Sequence, residues 1–246
     1  MSQVIVVASG KGGTGKTTVS TSLALALVRK QNKVLLIDCD SGMRGTDMML
    51  GITDRLVYDI SDVISGACTF SDALYECSAA RGLFTLAAPL SAEDEISPQV
   101  MKQFIEEHKD EYAYIIIDAP AGVGTGFEAA AKAADRALIV VNCEPTSVRG
   151  GINIRNKLSD MGITDVRLVI NRFERARFLA TALYEDLDEV IDTVGVGLIA
   201  LIPEDVRITA LSQRGALATN WAKSTVVFDS LVERLRGNNV PLTIEV

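Results

Sequence analysis

The stretch Gly10-Lys11-Gly12-Gly13-Thr14-Gly15-Lys16-Thr17 constrains this chain more than any other. It satisfies the pattern of a glycine, four residues and then Gly-Lys-Thr, and it lies between an apolar run at 4–7 and a helical segment predicted over 17–30. A phosphate-binding loop requires that context. Glycines at 10, 12, 13 and 15 let the backbone turn tightly and aim its N–H groups inward, an anion nest at a helix N-terminus. Residues Gly10 through Thr18 would then surround the phosphates of ATP or ADP, with Lys16 reaching the β and γ phosphates and the Thr17 hydroxyl ligating Mg2+. Spacing alone leaves Lys11 open between two roles. It is either a solvent-exposed lysine or a second positive charge for a nucleotide, its own or one held by a facing subunit.

Strand-like apolar runs recur at 4–7, 34–37, 83–87, 114–117, 137–141, 166–170 and 198–202. Most are short, continuous and β-branched, the mark of parallel strands buried on both faces. Helical segments are predicted over 17–30, 60–65, 70–74, 97–107, 124–134, 148–161, 178–188 and 225–236. The alternation predicts one α/β domain over 1–246, a doubly wound, mostly parallel sheet with helices on both faces, of the P-loop NTPase type. Right-handed crossovers place the loops after the strands along one sheet edge.

That edge collects carboxylates. The run at 34–37 ends in Asp38-Cys39-Asp40, where one carboxylate can orient magnesium or its waters and the other can position an attacking water. Asp47 follows in a glycine-containing segment with Gly42 and Gly45, expected to respond to nucleotide state. Asp118, after three isoleucines, is expected to hold magnesium through water opposite Thr17, and the following 119–124 segment to sense the γ phosphate. Asn171 and the Pro203-Glu204-Asp205 turn end later strands, where a base would sit beyond the phosphates.

Composition narrows the class. Lys plus Arg number 24 against 32 for Asp plus Glu, a formal charge of −8, so no global positive field draws the chain to nucleic acid or anionic lipid. Ser2 runs straight into the first strand without a leader, and no apolar stretch reaches membrane-spanning length, so a cytoplasmic location is expected. Cys39, Cys68, Cys77 and Cys143 form no paired motif and read as reduced structural thiols, which argues against an iron–sulphur role. His108 lies in the charged run 106–111 and reads as a solvated helix end.

The loop written K-G-G-T-G-K-T-T, with V-L-L-I-D-C-D, I-I-I-D-A-P-A-G at 115–122, E-P-T-S-V-R at 144–149, V-I-N-R at 169–172 and I-P-E-D at 202–205, resembles the MinD/ParA family of ATPases, its division-site members above all, over residues 2–242. The resemblance implies that Lys11 contacts phosphate across an ATP-dependent homodimer and that Lys16 and Thr17 keep the ordinary phosphate and magnesium roles. It further implies that Asp40 is needed for hydrolysis beside Asp38, that Asp118 opens a second switch, and that Asn171, with Arg172 and Pro203 through Asp205, holds the adenine. Catalysis would then rest on Lys11, Lys16 and Asp40, with Thr17, Asp38 and Asp118 at the metal. The implied cycle is dimerisation on ATP, binding to a surface or partner, hydrolysis stimulated by an activating protein, and release.

Two departures from that family pattern stand out. The end at 237–246 carries no basic amphipathic helix, so membrane association is expected to be weak or indirect, peripheral at the inner face of the cell membrane. The amphipathic segment 225–236, with Val227, Leu231 and Leu235 four apart and Val226 and Phe228 widening the stripe, reads as a core helix. Gly150-Gly151 is read as weakening a helix start that receives the regulator in division-site members. Positioning of a flagellum or secretion site, or of a soluble ParA-like cargo, competes with division-site positioning. Partitioning on non-specific DNA is disfavoured because Arg167, Arg172, Arg175 and Arg177 are accompanied closely by Glu174, Glu185, Asp186, Asp188 and Glu189. No feature points to sequence-specific nucleic acid, and metal-centre maturation is the least favoured alternative.

Overall fold

The computed structural model describes residues 2–41, 43–91, 96–217 and 225–242; Gly42 of the expected switch segment and the chain end at 243–246 lie outside the described residues. The elements in chain order are β1 (Gln3–Ala8), α1 (Lys16–Arg29), β2 (Val34–Asp38), α2 (Gly45–Leu50), α3 (Ile60–Ser65), α4 (Phe70–Ala73), β3 (Tyr75–Glu76), β4 (Leu83–Leu86), α5 (Pro98–His108), β5 (Tyr114–Asp118), α6 (Thr125–Lys132), β6 (Arg136–Val141), α7 (Pro145–Asp160), β7 (Val166–Phe173), α8 (Arg175–Thr181), α9 (Leu187–Val194), β8 (Leu198–Pro203), α10 (Val206–Gln213) and α11 (Thr225–Leu235).

Among the described residues the strands form one sheet in the order β3-β4-β2-β5-β1-β6-β7-β8. Among these described strands only the β3–β4 pair is antiparallel. Because side chains alternate along a strand, β1 feeds two cores at once. Val4, Val6 and Ala8 join the layer that α5, α6 and α7 cover, through Phe104, Phe127 and Ile154. Ile5 and Val7 join the layer under α1 and α11, through Leu23 and Phe228. Burial on both faces explains why these strands read as continuous apolar runs.

Helix α11 is a core helix, burying Phe228, Leu231 and Leu235, although Val226, read as part of its stripe, is exposed. Among the described residues no helix is long and apolar enough to cross a membrane. His108 is less solvated than expected: its ring stacks on Phe70 at 4.1 Å and on Phe104 at 4.9 Å.

Three stretches differ from the sequence reading. Helix α7 starts at Pro145, whose fixed φ suits a first turn, rather than at 148. Gly150 and Gly151 therefore lie inside the helix and are buried. A Cβ on Gly10 would come within 2.3 Å of the Gly150 backbone, and one on Gly151 within 2.8 Å of Val141, so these glycines serve close packing of α7 on the phosphate loop and sheet. The segment 178–188 is not one helix: Ala182 at φ 44° ends α8, and Asp186 caps α9 by accepting from the Glu189 N–H. Helices α2 and α10, absent from the sequence reading, are short, and their starts are fixed by tertiary and capping contacts from Asp38 and Asp205.

Candidate functional site

The register of the sheet brings the acidic strand ends together. Asp38 on β2 pairs directly with Asp118 on β5, and Asp118 lies one strand from β1, whose end opens the glycine loop. Lys16, at the start of α1, points back into this cluster. Its Nζ lies 3.1 Å from Asp118 Oδ1 and 3.7 Å from Asp40 Oδ2. Ser20, one turn further along α1, donates its hydroxyl to the same Asp118 oxygen at 2.7 Å. Sequence reasoning missed Ser20, whose only signal is its position four residues after Lys16 on the same helix face.

Charge in this cluster is poorly solvated, since Lys16, Asp38 and Asp118 are all buried. Burial disfavours the Lys16 ammonium, but Asp118 and Asp40 more than offset that and hold its pKa above the ordinary lysine value. Burial raises the Asp40 carboxyl, with Lys16 opposing and Asp118 adding to the rise. Asp38 is pushed up to about 7 by burial and by Asp118, against the donors it accepts from. Those donors are the Asp40 N–H at 2.9 Å, and the Thr46 N–H at 3.1 Å and hydroxyl at 2.9 Å, so Asp38 ties the start of α2 to the sheet. Burial also pushes the Cys39 thiol up, and the Cys143 thiol up to about 11, so neither is poised as a nucleophile.

The donor set fits a hard divalent cation completed by phosphate oxygens. Asp118 Oδ2 is buried with no hydrogen-bond partner among the described residues. Thr17 faces the start of α2, where a Cβ on Gly45 would come within 2.9 Å of its methyl. Among the described residues no group of three or more acidic, Cys or His side chains is placed to hold a metal by itself, which suits magnesium carried in on a nucleotide better than a resident all-protein site.

Further along the same edge lies a cavity of about 260 Å3 that brings together Thr18, Asn171, Arg172, Pro203, Glu204 and Asp205. Asn171 is buried and donates from Nδ2 to the Thr14 carbonyl at 2.8 Å, so it braces the phosphate loop from the side. Gly15 at φ +85° is needed both for its conformation and for this approach, since a Cβ there would sit 2.3 Å from Asn171 Nδ2. Arg172, itself at φ 57°, donates to Glu204 at 2.7 Å and reaches the Gly13 carbonyl at 3.4 Å. The sequence reading missed the rest of the wall, Met48 and Met49 from α2 with Ile208, Ser212 and Gln213 from α10. The pair Gly51 and Gly215, both at positive φ, brings those helices into contact: a Cβ on Gly51 would meet the Gly215 carbonyl oxygen at 2.4 Å.

Lys11 stands apart from this buried cluster. It is about half exposed, and its Nζ is held 3.2 Å from both Glu144 Oε2 and the Thr146 hydroxyl at the start of α7. Arg177 of α8 reaches the other Glu144 oxygen at 3.4 Å. The arginines weighed for DNA are largely paired, Arg167 with Asp165 and Arg172 with Glu204.

Comparison with known proteins finds relatives over nearly the whole chain. A family model described as an AAA domain matches residues 2–165. The septum site-determining protein MinD of Synechocystis sp. is 35% identical over 245 residues, 98% of this chain and 92% of that protein. Among solved structures, MinD of the MinC:MinD cell division protein complex of Aquifex aeolicus superposes with a TM-score of 0.89 at 32% identity, covering 98% of this chain and 99% of that one. The septum site-determining protein MinD of Pyrococcus horikoshii, complexed with Mg-ADP, gives 0.83 at 28% identity over 96% of each chain.

Proposed function

The chain belongs to the MinD family of septum site-determining proteins, and from that premise we propose that it is a magnesium-dependent ATPase switch that dimerises on ATP, is released by hydrolysis, and positions the division site. The observation that carries this reading is the buried Lys16 ammonium held between Asp118 and Asp40 at the mouth of the glycine loop. A nucleotide's γ phosphate would take the place of those carboxylates as the partner of Lys16. Asp118 and Asp40 would then be freed for the metal and for water.

In this reading the loop N–H groups of Gly10 through Thr18 bind the phosphates, and Thr17, with Asp118 and Asp38, surrounds the magnesium. Magnesium, when bound, neutralises charge on the phosphate oxygens. Asp40 orients the attacking water. Asn171, Arg172 and the turn Pro203 to Asp205 hold the adenine and fix the ribose end of the nucleotide. Lys11 leaves Glu144 to reach a phosphate of the facing subunit, which makes dimerisation and catalysis one event. The Aquifex relative is seen in complex with MinC, and a partner protein of this kind is proposed to act on the dimer here as well. Attachment to the inner face of the membrane is proposed to be indirect, because α11 keeps its apolar stripe in the core.

The test is phosphate release from ATP with magnesium, read together with the dimer fraction by sedimentation. The unaltered protein should hydrolyse ATP slowly, and Asp40→Ala should stop hydrolysis while accumulating dimer. Equal hydrolysis by both proteins would remove Asp40 from the mechanism, and a failure of either to dimerise on ATP would sink the switch.

A further inference from the structure

Ser20 is fully buried on α1, one turn past Lys16, and has no role in the nucleotide site of the preceding section. A serine inside a helix ordinarily returns its hydroxyl to the carbonyl four residues back. That partner is within reach here, since the Lys16 carbonyl lies 3.1 Å from Ser20 Oγ. Asp118 Oδ1 is nearer, at 2.7 Å, and a hydroxyl has a single proton to donate. A hydrogen bond to a carboxylate is roughly twice as strong as one between neutral groups, so the proton goes to Asp118.

The two oxygens of Asp118 differ. Oδ1 accepts from the Ser20 hydroxyl and, at 3.1 Å, from the Lys16 ammonium. Oδ2 is buried and has no hydrogen-bond partner among the described residues. Asp38, which pairs with Asp118 in the sheet register, has a donor on each oxygen, the Asp40 N–H on Oδ1 and Thr46 on Oδ2. A buried carboxylate oxygen without a partner costs free energy until a donor or a cation meets it. In the cycle proposed above that cation is magnesium, and Lys16 turns from Asp118 to the phosphate. Ser20 cannot follow, because its side chain is short and enclosed. It stays behind as the donor that holds the plane of the carboxylate.

We propose that Ser20 is a positioning residue for magnesium: its hydroxyl fixes Asp118 through Oδ1 and so keeps Oδ2 presented to the cation while Lys16 moves between carboxylate and phosphate. A ligand already held by a hydrogen bond from behind need not be ordered when the metal arrives, and its affinity for the metal is higher for that reason. The proposal rests on the magnesium-dependent nucleotide site of the preceding section. It adds to that site a residue that acts through Asp118 and touches neither nucleotide nor metal.

The experiment is ADP binding by calorimetry, first in EDTA and then across a titration with Mg2+, so that no turnover is involved. Ser20→Ala removes one oxygen and adds no bulk. Its ADP affinity in EDTA should match the parent's, while the Mg2+ concentration giving half of the magnesium-dependent gain should rise by about tenfold, the scale of losing the hydrogen bond behind a metal ligand. Ser20→Thr keeps the hydroxyl and should hold the parental midpoint. A parental midpoint in Ser20→Ala would overturn the proposal, and so would an ADP affinity lowered equally in EDTA and in Mg2+, which would mean that Ser20 only supports the loop. Ser20→Thr with parental affinity in EDTA but the midpoint of the alanine variant would trace the effect to packing and overturn it as well. A parent whose ADP affinity is indifferent to Mg2+ would overturn the magnesium site itself, and Ser20's role with it.

Discussion

The two ends of the proposed nucleotide edge are built in opposite ways. The phosphate end is polar, buried and assembled from a few contiguous motifs: the loop after β1, the Asp38 to Asp40 turn and Asp118, neighbours in a parallel register. The end proposed for the base is a mostly apolar cavity whose walls come from α1, α2, β7, β8, α10 and α11, parts distant in sequence. At the first end the proposed function depends on charges held where water cannot screen them, so single residues are expected to carry large effects. At the second it depends on how closely backbones approach, and the effects are distributed. Two glycine contacts join the regions to the body, Gly10 with Gly150 under the phosphate loop and Gly51 with Gly215 between α2 and α10.

The sharpest way to break this contrast is at Lys16. Lys16→Ala should lower ATP hydrolysis by roughly 10²–10³-fold, the scale of one preorganised charged donor in a desolvated site. A rate within a few-fold of the parent, measured as phosphate release, would mean that the buried cluster is structural and that the two ends differ only in polarity.

Next in size is the packing at the base end. Gly51→Ala puts a Cβ 2.4 Å from the Gly215 carbonyl at φ +68°, and should cost about 1–3 kcal/mol of stability in denaturant unfolding. Gly12→Ala has open space around its Cβ and should be close to neutral in the same measurement. Equal losses at both positions would erase the distinction between backbone approach and local loop conformation.

Asn171→Ala tests a buried side chain that belongs to both ends. It leaves the Thr14 carbonyl without its buried donor, a penalty of about 1–3 kcal/mol. Nucleotide affinity by calorimetry should fall for ADP as well as ATP, since the loop as a whole is loosened. A loss confined to ATP would tie Asn171 to the γ phosphate instead.

The last test is a pH dependence. Asp38 is raised from 3.8 to about 7 in the folded protein, so the folded state binds more protons than the unfolded chain between those values. Stability attributable to this carboxylate is therefore greatest near pH 4 and declines as pH rises to 7. The difference in melting temperature between the parent and Asp38→Asn, without nucleotide, should change across that window. A difference that is flat with pH would place the proton elsewhere in the carboxylate cluster.

Legibility in the sequence follows the same division. The glycine loop was readable because its chemistry is local: its glycines, Lys16 and Thr17 must stand at fixed offsets between a strand and a helix. Asp38 and Asp118 were readable as strand-end carboxylates, but not the mutual burial that follows from their pairing across β2 and β5. Asn171 was placed at the base, while its grip on Thr14 spans 157 residues and leaves no periodic trace. The segment 178–188 misled because its apolar residues belong to two helices, divided at Ala182 by a left-handed turn that no local residue type announced. Gly150 and Gly151 read as a weakened helix start, when the close approach of α7 to the phosphate loop is what requires them.

By itself, then, the sequence determined the alternating sheet and helix layers, the doubly buried strands and the phosphate loop, because each depends on residue type and short spacing. Only the tertiary structure decided which carboxylates share the Lys16 ammonium, where Lys11 rests and which helices wall the base cavity. These depend on the strand order and on backbone contacts between segments far apart in the chain, and short-range sequence pattern carries no information about either.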